Sequence, residues 1–467
     1  MCRDLKSLYF RKEVSMKYYF SGIGGIGMSS LALYLAYKHG ITSVLGSNNE
    51  MNERVEYLIK KGIKVKLNQD SNLPDIDFLI KTTAIKDTNP ELIEAKNRKI
   101  AIISRMQLLN SILQEHTSIG ITGTDGKTTT TAMVSQIFKN AGKDPTVFLG
   151  GIHDSLEDGN FRFGNGIVIA EVDESDGFIE KTETNFSIIN NLRPDHLEHY
   201  NNEFEKLESS LYKFAKNTKE LVILNGDDVH LNKWHLNEKK VLYFGQSEKA
   251  DYIIKNRHQY NGYQVFEIYH KNTYIGDITL NLPGLHYAYD ALASTALSLE
   301  LGIEFSTIKE TFHRYNSVGR RFNILYDKDN LSIIDDYAHT PDEILETIKA
   351  TKEYFPKRKI ITIFQPHRYT RLYFHINDFI DVLKYSDEVL VYRIYSAFEE
   401  PINGVDEKKV VEALNSQATF SKYYNSEDEI ISDLLQEKNA VLLFVGAGDI
   451  TDIAKKLSKN KKNLDIS

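Results

Sequence analysis

The sequence predicts an α/β protein of three domains, with parallel sheets at both ends and a mixed sheet between them. Short apolar runs alternate with segments of helical period along nearly all of the 467 residues, which is the pattern of strand–helix–strand units. Two of those runs break directly into glycine turns that open helices, at Gly22-x-Gly24-x-x-Gly27 and at Gly123-x-x-Gly126. Residues 252–282 instead alternate in the antiparallel manner. At ordinary domain sizes a chain of this length divides into about three.

The first domain, residues 1–115, reads as Rossmann-like: strand 17–20 enters the Gly22 turn, and a second strand, 42–45, ends in Gly46-Ser47-Asn48-Asn49. Residues 1–15 are polar and basic without apolar period, so they read as an extension, with Met16 the expected start. The second domain, 116–317, begins with a strand at 117–121, followed by the second glycine turn and a helix from Thr129. Buried strands at 166–171 and 186–190 follow, and the antiparallel stretch closes the unit. The third domain, 318–467, carries strands at 332–335, 359–364, 388–392 and 441–445 and is again Rossmann-like. There is no repeat, low-complexity tract or Pro/Ser-rich linker, so the boundaries are soft.

Composition excludes several classes. Hydrophobic residues at 41% and charged residues at 26% suit globular cores. Sixty-five acids against 57 bases leave a net charge of -8, so no basic field favours nucleic acid or an anionic membrane. The single cysteine, Cys2, rules out an internal disulfide and fits a reducing cytoplasm. No run reaches the roughly eighteen apolar residues of a membrane span, so membrane insertion is not expected.

The chemistry concentrates at 121–131. Gly123 and Gly126 let backbone N–H groups approach phosphate oxygens, Lys127 neutralises β/γ charge, Thr128 offers a hydroxyl to Mg²⁺, and the helix N-terminus points inward beside Thr124, Asp125 and Thr129. The spacing departs from G-x-x-x-x-G-K-[ST], because Ile121 replaces the first glycine. This P-loop-type turn implies ATP. The 166–171 strand runs into Glu171, Asp173, Glu174 and Asp176, four acids within six residues, and Glu174 is expected to face the Mg²⁺ held by Thr128. The third strand leads to Asp195 and His196, an imidazole placed for a second ion. Each of these alone is more often structural, and their succession at strand ends makes the site. The Gly22 turn by itself suggests a dinucleotide enzyme, but the second strand lacks the acid that would hold a ribose 2'-OH.

Thr122-Gly-Thr-Asp-Gly-Lys-Thr-Thr-Thr130, Ala170-Glu-Val-Asp-Glu-Ser-Asp176 and Pro194-Asp-His-Leu197 resemble the central ATPase motifs of the Mur ligases. The likeness extends to Gly22-Ile-Gly-Gly-Ile-Gly-Met-Ser29, Gly319-Arg-Arg-Phe322, Asp335-Asp-Tyr-Ala-His-Thr-Pro341, Phe364-Gln-Pro-His-Arg-Tyr-Thr-Arg371 and Gly446-Ala-Gly-Asp-Ile450. Within that family the first and the Phe364 motif resemble the member that joins L-alanine to UDP-N-acetylmuramate. The resemblance implies that Gly22, Gly24, Gly25, Ile26 and Gly27 hold the UDP diphosphate, with Ser47, Thr83, Ala84, Ser104 and Arg105 in the same pocket. It also implies that Arg321 reaches ATP phosphates on closure of the third domain, that Asp336 touches the ATP ribose, and that Tyr337, His339, His367, Arg368 and Arg371 surround alanine and the reacting phosphate. The expected reaction is ATP-driven amide formation through an acyl phosphate, with Lys127, two Mg²⁺ ions (Thr128 and Glu174 on one, His196 on the other) and arginines offsetting charge. The expected assembly is a monomer or weak dimer.

Four departures from the family pattern stand out. Asp125 occupies the usual place of His, and Asn48 that of Asp. Gly284-Leu-His286-Tyr287-Ala-Tyr-Asp290 replaces His-Asn-x-x-Asn at the adenine, so an ionised Asp290 is expected there, able only to accept hydrogen bonds. The carbamylated lysine of later-acting relatives has no counterpart at Leu211, as suits the alanine-adding member. Two rivals remain: a ligase for a preformed murein tripeptide, whose first glycine turn usually contains Cys, and a non-enzymatic nucleotide sensor, which has no need of Glu174, His196 and Arg368 together.

Overall fold

The computed structural model describes residues 16–195, 197–237, 239–260, 262–397 and 399–464. The expected second-ion ligand His196 and the 1–15 extension lie outside them.

The first sheet is fully parallel. Its strands β1 (Tyr18–Ser21), β2 (Val44–Ser47), β3 (Lys64–Lys66), β4 (Phe78–Lys81) and β5 (Ala101–Ser104) run in the order β3-β2-β1-β4-β5. The strand order reverses beside β1, which leads into the Gly22 turn, so the crevice for a ligand opens at that glycine turn. The helix Ile26–His39 follows at once.

The central sheet has ten strands: β6 (Ser118–Thr122), β7 (Thr146–Phe148), β8 (Phe161–Arg162), β9 (Val168–Glu171), β10 (Phe186–Ile189), β11 (Leu221–Asn225), β12 (Lys240–Gly245), β13 (Tyr252–Tyr260), β14 (Tyr263–His270) and β15 (Thr273–Leu280). Their order is β15-β14-β13-β12-β11-β10-β6-β9-β7-β8. The three strands of the alternating stretch pair antiparallel, whereas β6, fully buried, lies parallel between β10 and β9. Ile121 pairs with Glu171 and Thr122 with Ile189, so the phosphate loop, the acids and the Asn190 segment leave the same edge together. Strands β7, β8, β11 and β12 are additions to the strands expected from the sequence; β7 and β8 are only three and two residues long and carry no readable period.

The third sheet comprises β16 (Asn323–Lys328), β17 (Leu331–Asp336), β18 (Ile360–Phe364), β19 (Glu388–Tyr392), β20 (Phe420–Tyr424) and β21 (Ala440–Val445), ordered β16-β17-β21-β18-β19-β20 with only β16 antiparallel. Asp336, Val445 and Phe364 end three adjacent strands, which gathers the Asp335, Gly446 and Phe364 motifs at one edge. Apolar cores run across the domain borders. Leu31 and Tyr34 of the first domain share a cluster with Phe148 and Phe161 of the second, and Ile137 and Leu292 of the second share one with Ile344 and Ile348 of the third. The helix Leu285–Glu300 packs on the helix Lys127–Asn140 and carries its buried face toward the phosphate loop.

Candidate active site

The strand β6 delivers the loop into its turn, and Gly126, at φ +78°, starts the helix Lys127–Asn140. A side chain there would also collide with Asp290, whose Oδ1 would lie 2.5 Å from the added Cβ. The Lys127 ammonium folds back on the loop and donates to the carbonyls of Gly123 (2.7 Å) and Thr124 (2.9 Å) and to Glu174 Oε1 (2.9 Å). Burial opposes its charge, but Glu174, Asp173 and Glu171 outweigh that and raise its pKa, so it is a fixed cation.

The acid that faces Thr128 is Glu171. Its Oε2 accepts from Gly150 N at 2.9 Å; burial raises its pKa, against Lys127 and then the Thr128 hydroxyl, which favour its charged form. Glu174, the acid expected to meet Thr128, is instead the partner of Lys127, and Tyr200 donates to its backbone carbonyl. The reason is strand register: Glu171 still belongs to β9, beside Ile121, whereas Glu174 lies past the turn. Among the described residues no group of three or more His, Cys, Asp or Glu stands ready for a metal.

A cavity of about 340 Å³ opens between the second and third domains, with Asp125, Gly126, Thr129, His286 and Asp290 on one wall and Arg321 and Asp336 on the other. The half-buried Arg321 guanidinium has its charge reinforced by Glu343 and Asp336 against desolvation and lies 5.1 Å over the Tyr337 ring, which Arg320 covers at 4.9 Å. Asp336 accepts from the amides of Phe322 (2.7 Å) and Ala338 (2.8 Å). Burial drops the His286 pKa to about 4, leaving a neutral ring. Asp125 is pushed up to about 7 by burial and Glu343, against Arg193 and Lys127, and Arg193 spans from Asp125 (3.6 Å) to Asp342 (3.1 Å) of the third domain.

Asp290 differs from its expected state. It is 6% exposed and accepts from Thr130 Oγ1 (3.0 Å) and the Asn190 amide (3.3 Å). Burial lifts it to about 8, so at neutral pH it is a carboxylic acid that can also donate. Tyr287 is 3% exposed, so Tyr289 rather than Tyr287 offers the accessible ring beside it, with its hydroxyl on Asp227 at 2.5 Å.

The remaining third-domain residues form a chain next to this cavity. His339 Nδ1 lies 3.1 Å from Glu343, which accepts from the amides of His339 and Thr340 at the helix N-terminus. His339 meets His367 edge-on at 5.6 Å, and His367 stacks on Tyr395. Burial, then the neighbouring His339 and Arg371, push His367 down to about 3. Arg371, 8% exposed, reaches across the cleft to Asp195 at 3.1 Å and also touches His367 at 3.2 Å. Arg368, at φ +72°, turns its Nε to Glu399 (2.6 Å).

In the first domain the 82–85 turn containing Thr83 and Ala84 backs Gly22, and an added Cβ on Gly27 would lie 2.6 Å from Arg105. Arg105 pairs with Asp173 (3.1 Å) and Asp176 (3.4 Å), so the acids beyond β9 face the Gly27 crevice. That crevice, lined by Ile26, Gly27, Arg105, Leu149 and Glu171, adjoins the Thr128 end of the loop. Ser104 caps the helix Arg105–Glu115. Ser47 points away from the crevice: it is fully buried and donates to Glu91 at 2.8 Å, while its carbonyl receives the amides of Gly22 and Ile23. Sequence reasoning counted Glu171 among the four acids but chose Glu174 for Thr128, and it passed over Arg193 and Glu343, which stand beside quoted motifs.

Three family models match the chain in order: "Mur ligase family, catalytic domain" over residues 17–117, "Mur ligase middle domain" over 121–298 and "Mur ligase, glutamate ligase domain" over 320–448. The UDP-N-acetylmuramate–L-alanine ligase of Thermotoga petrophila is 40% identical over 440 residues, 93% of this chain and 94% of that one. The crystal structure of the UDP-N-acetylmuramate–alanine ligase of Thermotoga maritima superposes with a TM-score of 0.84 at 37% identity, covering 96% of this chain and 99% of that chain. A murein peptide ligase from Psychrobacter arcticus shares the fold, with a TM-score of 0.68, 20% identity and coverage of 95% and 98%. The chain belongs to the Mur ligase family.

Proposed function

We propose that this chain is an ATP-dependent ligase that joins L-alanine to the lactyl carboxylate of UDP-N-acetylmuramate, releasing ADP and phosphate, in peptidoglycan synthesis. The observation that carries this reading is the likeness, at 40% identity over 93% of the chain, to a ligase of that activity. Murein tripeptide as the added group is not favoured, because the likeness to the murein peptide ligase lies at 20% identity and speaks for fold alone.

A carboxylate is a poor electrophile. Its oxygen attacks the γ-phosphorus, the β–γ bridging bond breaks, and ADP leaves with an acyl phosphate formed. The unprotonated amine of alanine then attacks the acyl carbon, phosphate leaves, and the amine's proton passes to solvent or phosphate. Both steps crowd negative charge into one volume, where preorganised cations and amides act most strongly. Lys127 and the loop amides serve the β- and γ-phosphates from the second domain, and Arg321 serves them from the third. Asp290 and His286 face the base, with Asp336 near the ribose. His367 stays neutral at pH 7, so beside Arg371 it accepts hydrogen bonds rather than adding another positive charge. The Gly22–Gly27 turn and Arg105 hold the diphosphate sugar next to Glu171.

Thr128 and Glu171 present a hydroxyl and a carboxylate side by side, which is an all-oxygen donor pair suited to Mg²⁺. Bound there, Mg²⁺ would neutralise phosphate charge. The test is phosphate release with UDP-N-acetylmuramate, ATP, Mg²⁺ and each single amino acid in turn. L-alanine should give the fastest release, and release with the murein tripeptide but with no single amino acid would overturn the reading.

A further inference from the structure

One segment outside every sequence motif touches all three domains. Residues 149–160 join β7 to β8. Gly150 N donates to Glu171, while Gly319 N, on the approach to the third domain, donates to Ile152 O at 2.9 Å. The His153 ring meets the Asn316 carbonyl at 2.8 Å. At the far end stands Asn160, fully buried. Its Nδ2 donates to Ile26 O (2.6 Å) and Ser29 Oγ (2.9 Å), and its Oδ1 accepts from Arg54 Nη2 (2.6 Å). Ile26 and Ser29 form the first turn of the helix that leaves the Gly22–Gly27 crevice, and Gly25 at its N-cap offers no side chain of its own. Within the first domain Ser29 Oγ donates to Ile26 O (2.9 Å) and accepts from Arg54 Nε (3.3 Å), and the second domain adds Asn160, which donates to both residues of the turn.

We infer that Asn160 is a positioning residue of the nucleotide-sugar site, fixing the first turn behind the glycine crevice against the domain that carries the phosphate loop. The inference rests on the reading of that crevice as the diphosphate cradle. A buried amide with both of its ends engaged tolerates little displacement, because each lost partner leaves a desolvated polar group behind. Its neighbour Asp158 provides the contrast. Also buried, it accepts from Tyr57 (2.6 Å) and pairs with Lys61 (2.7 Å), both at the helix Glu53–Lys60 or its end, and it makes no side-chain contact with Ile26 or Ser29 among those described.

Asn160→Asp keeps the size and the Arg54 contact but removes both donors. Steady-state kinetics on the full chain should show its KM for UDP-N-acetylmuramate raised about tenfold or more, with the KM for ATP within about twofold of wild type. Ser29→Ala, a milder change at the same turn, should shift KM in the same direction by about threefold. Asp158→Asn should lower the melting temperature and leave both KM values in place. An unchanged KM for UDP-N-acetylmuramate in both Asn160→Asp and Ser29→Ala overturns the inference, as does a parallel rise in both KM values tracking the melting temperature. Calorimetry with wild-type protein, UDP-N-acetylmuramate and a non-hydrolysable ATP analogue separates the two levels: absence of binding there removes the cradle reading and this inference with it, whereas wild-type binding matched by Asn160→Asp removes the inference alone.

Discussion

Asp290→Asn should flatten the loss of stability that the protein suffers as pH rises toward 9. The carboxyl is buried beside Thr130 and Asn190, and burial lifts it from 3.8 to about 8. A folded-state pKa raised in this way contributes stability that is complete below the unfolded value near 4 and is lost as pH climbs through 8, because the unfolded chain ionises freely while the folded one must carry a buried carboxylate. Each unit of displacement corresponds to about 1.4 kcal/mol, so between pH 5.5 and 8.5 the variant should gain on wild type by about 3 kcal/mol. Urea unfolding followed through Trp234 measures this in the right domain, since it is the only tryptophan and lies in the central domain with Asp290. In parallel, the KM for ATP should rise above pH 8 in wild type, where the acid stops donating, and stay level in the variant. Stability curves that run parallel from pH 5.5 to 8.5 would refute the account of a neutral acid in the nucleotide wall.

Lys127→Ala should cut phosphate release by roughly 100-fold or more, at about 3 kcal/mol for a lost contact of this kind, and retention of more than a few per cent of turnover would reject the phosphate role. It should also destabilise the loop, because Glu174 loses the ammonium that neutralises it. Glu171→Gln should raise the Mg²⁺ concentration for half-maximal rate by several-fold, while Glu174→Gln should act chiefly on the order of Lys127; a Glu171→Gln titration superimposed on wild type would assign that acid to structure alone.

Much of the molecule is legible in the sequence, because its signals are local. Parallel strands buried on both faces read as apolar runs, so β1, β6, β10, β17, β18, β19 and β21 stand close to their expected places. Glycine turns and Gly-Lys-Thr likewise depend on neighbours within a few residues, and they announce both cradles. Strands of two or three residues, such as β8 and β7, carry too little pattern to be seen. What only the tertiary structure decided is which of several like residues meets which partner. One acid ends β9 and three follow it: the strand's register sets Glu171 beside Ile121 on the Thr128 side, whereas past the strand Glu174 meets Lys127, and Asp173 and Asp176 meet Arg105. Ser47 ends the second strand, where the family resemblance places it in the diphosphate pocket, but spends its hydroxyl on Glu91, 44 residues away. The charge of Asp290 likewise depends on desolvation by helices and loops distant in the chain. Spacing along a strand fixes side-chain alternation, whereas proton affinity and pairing follow from dielectric and distance, which exist only once the three sheets have packed.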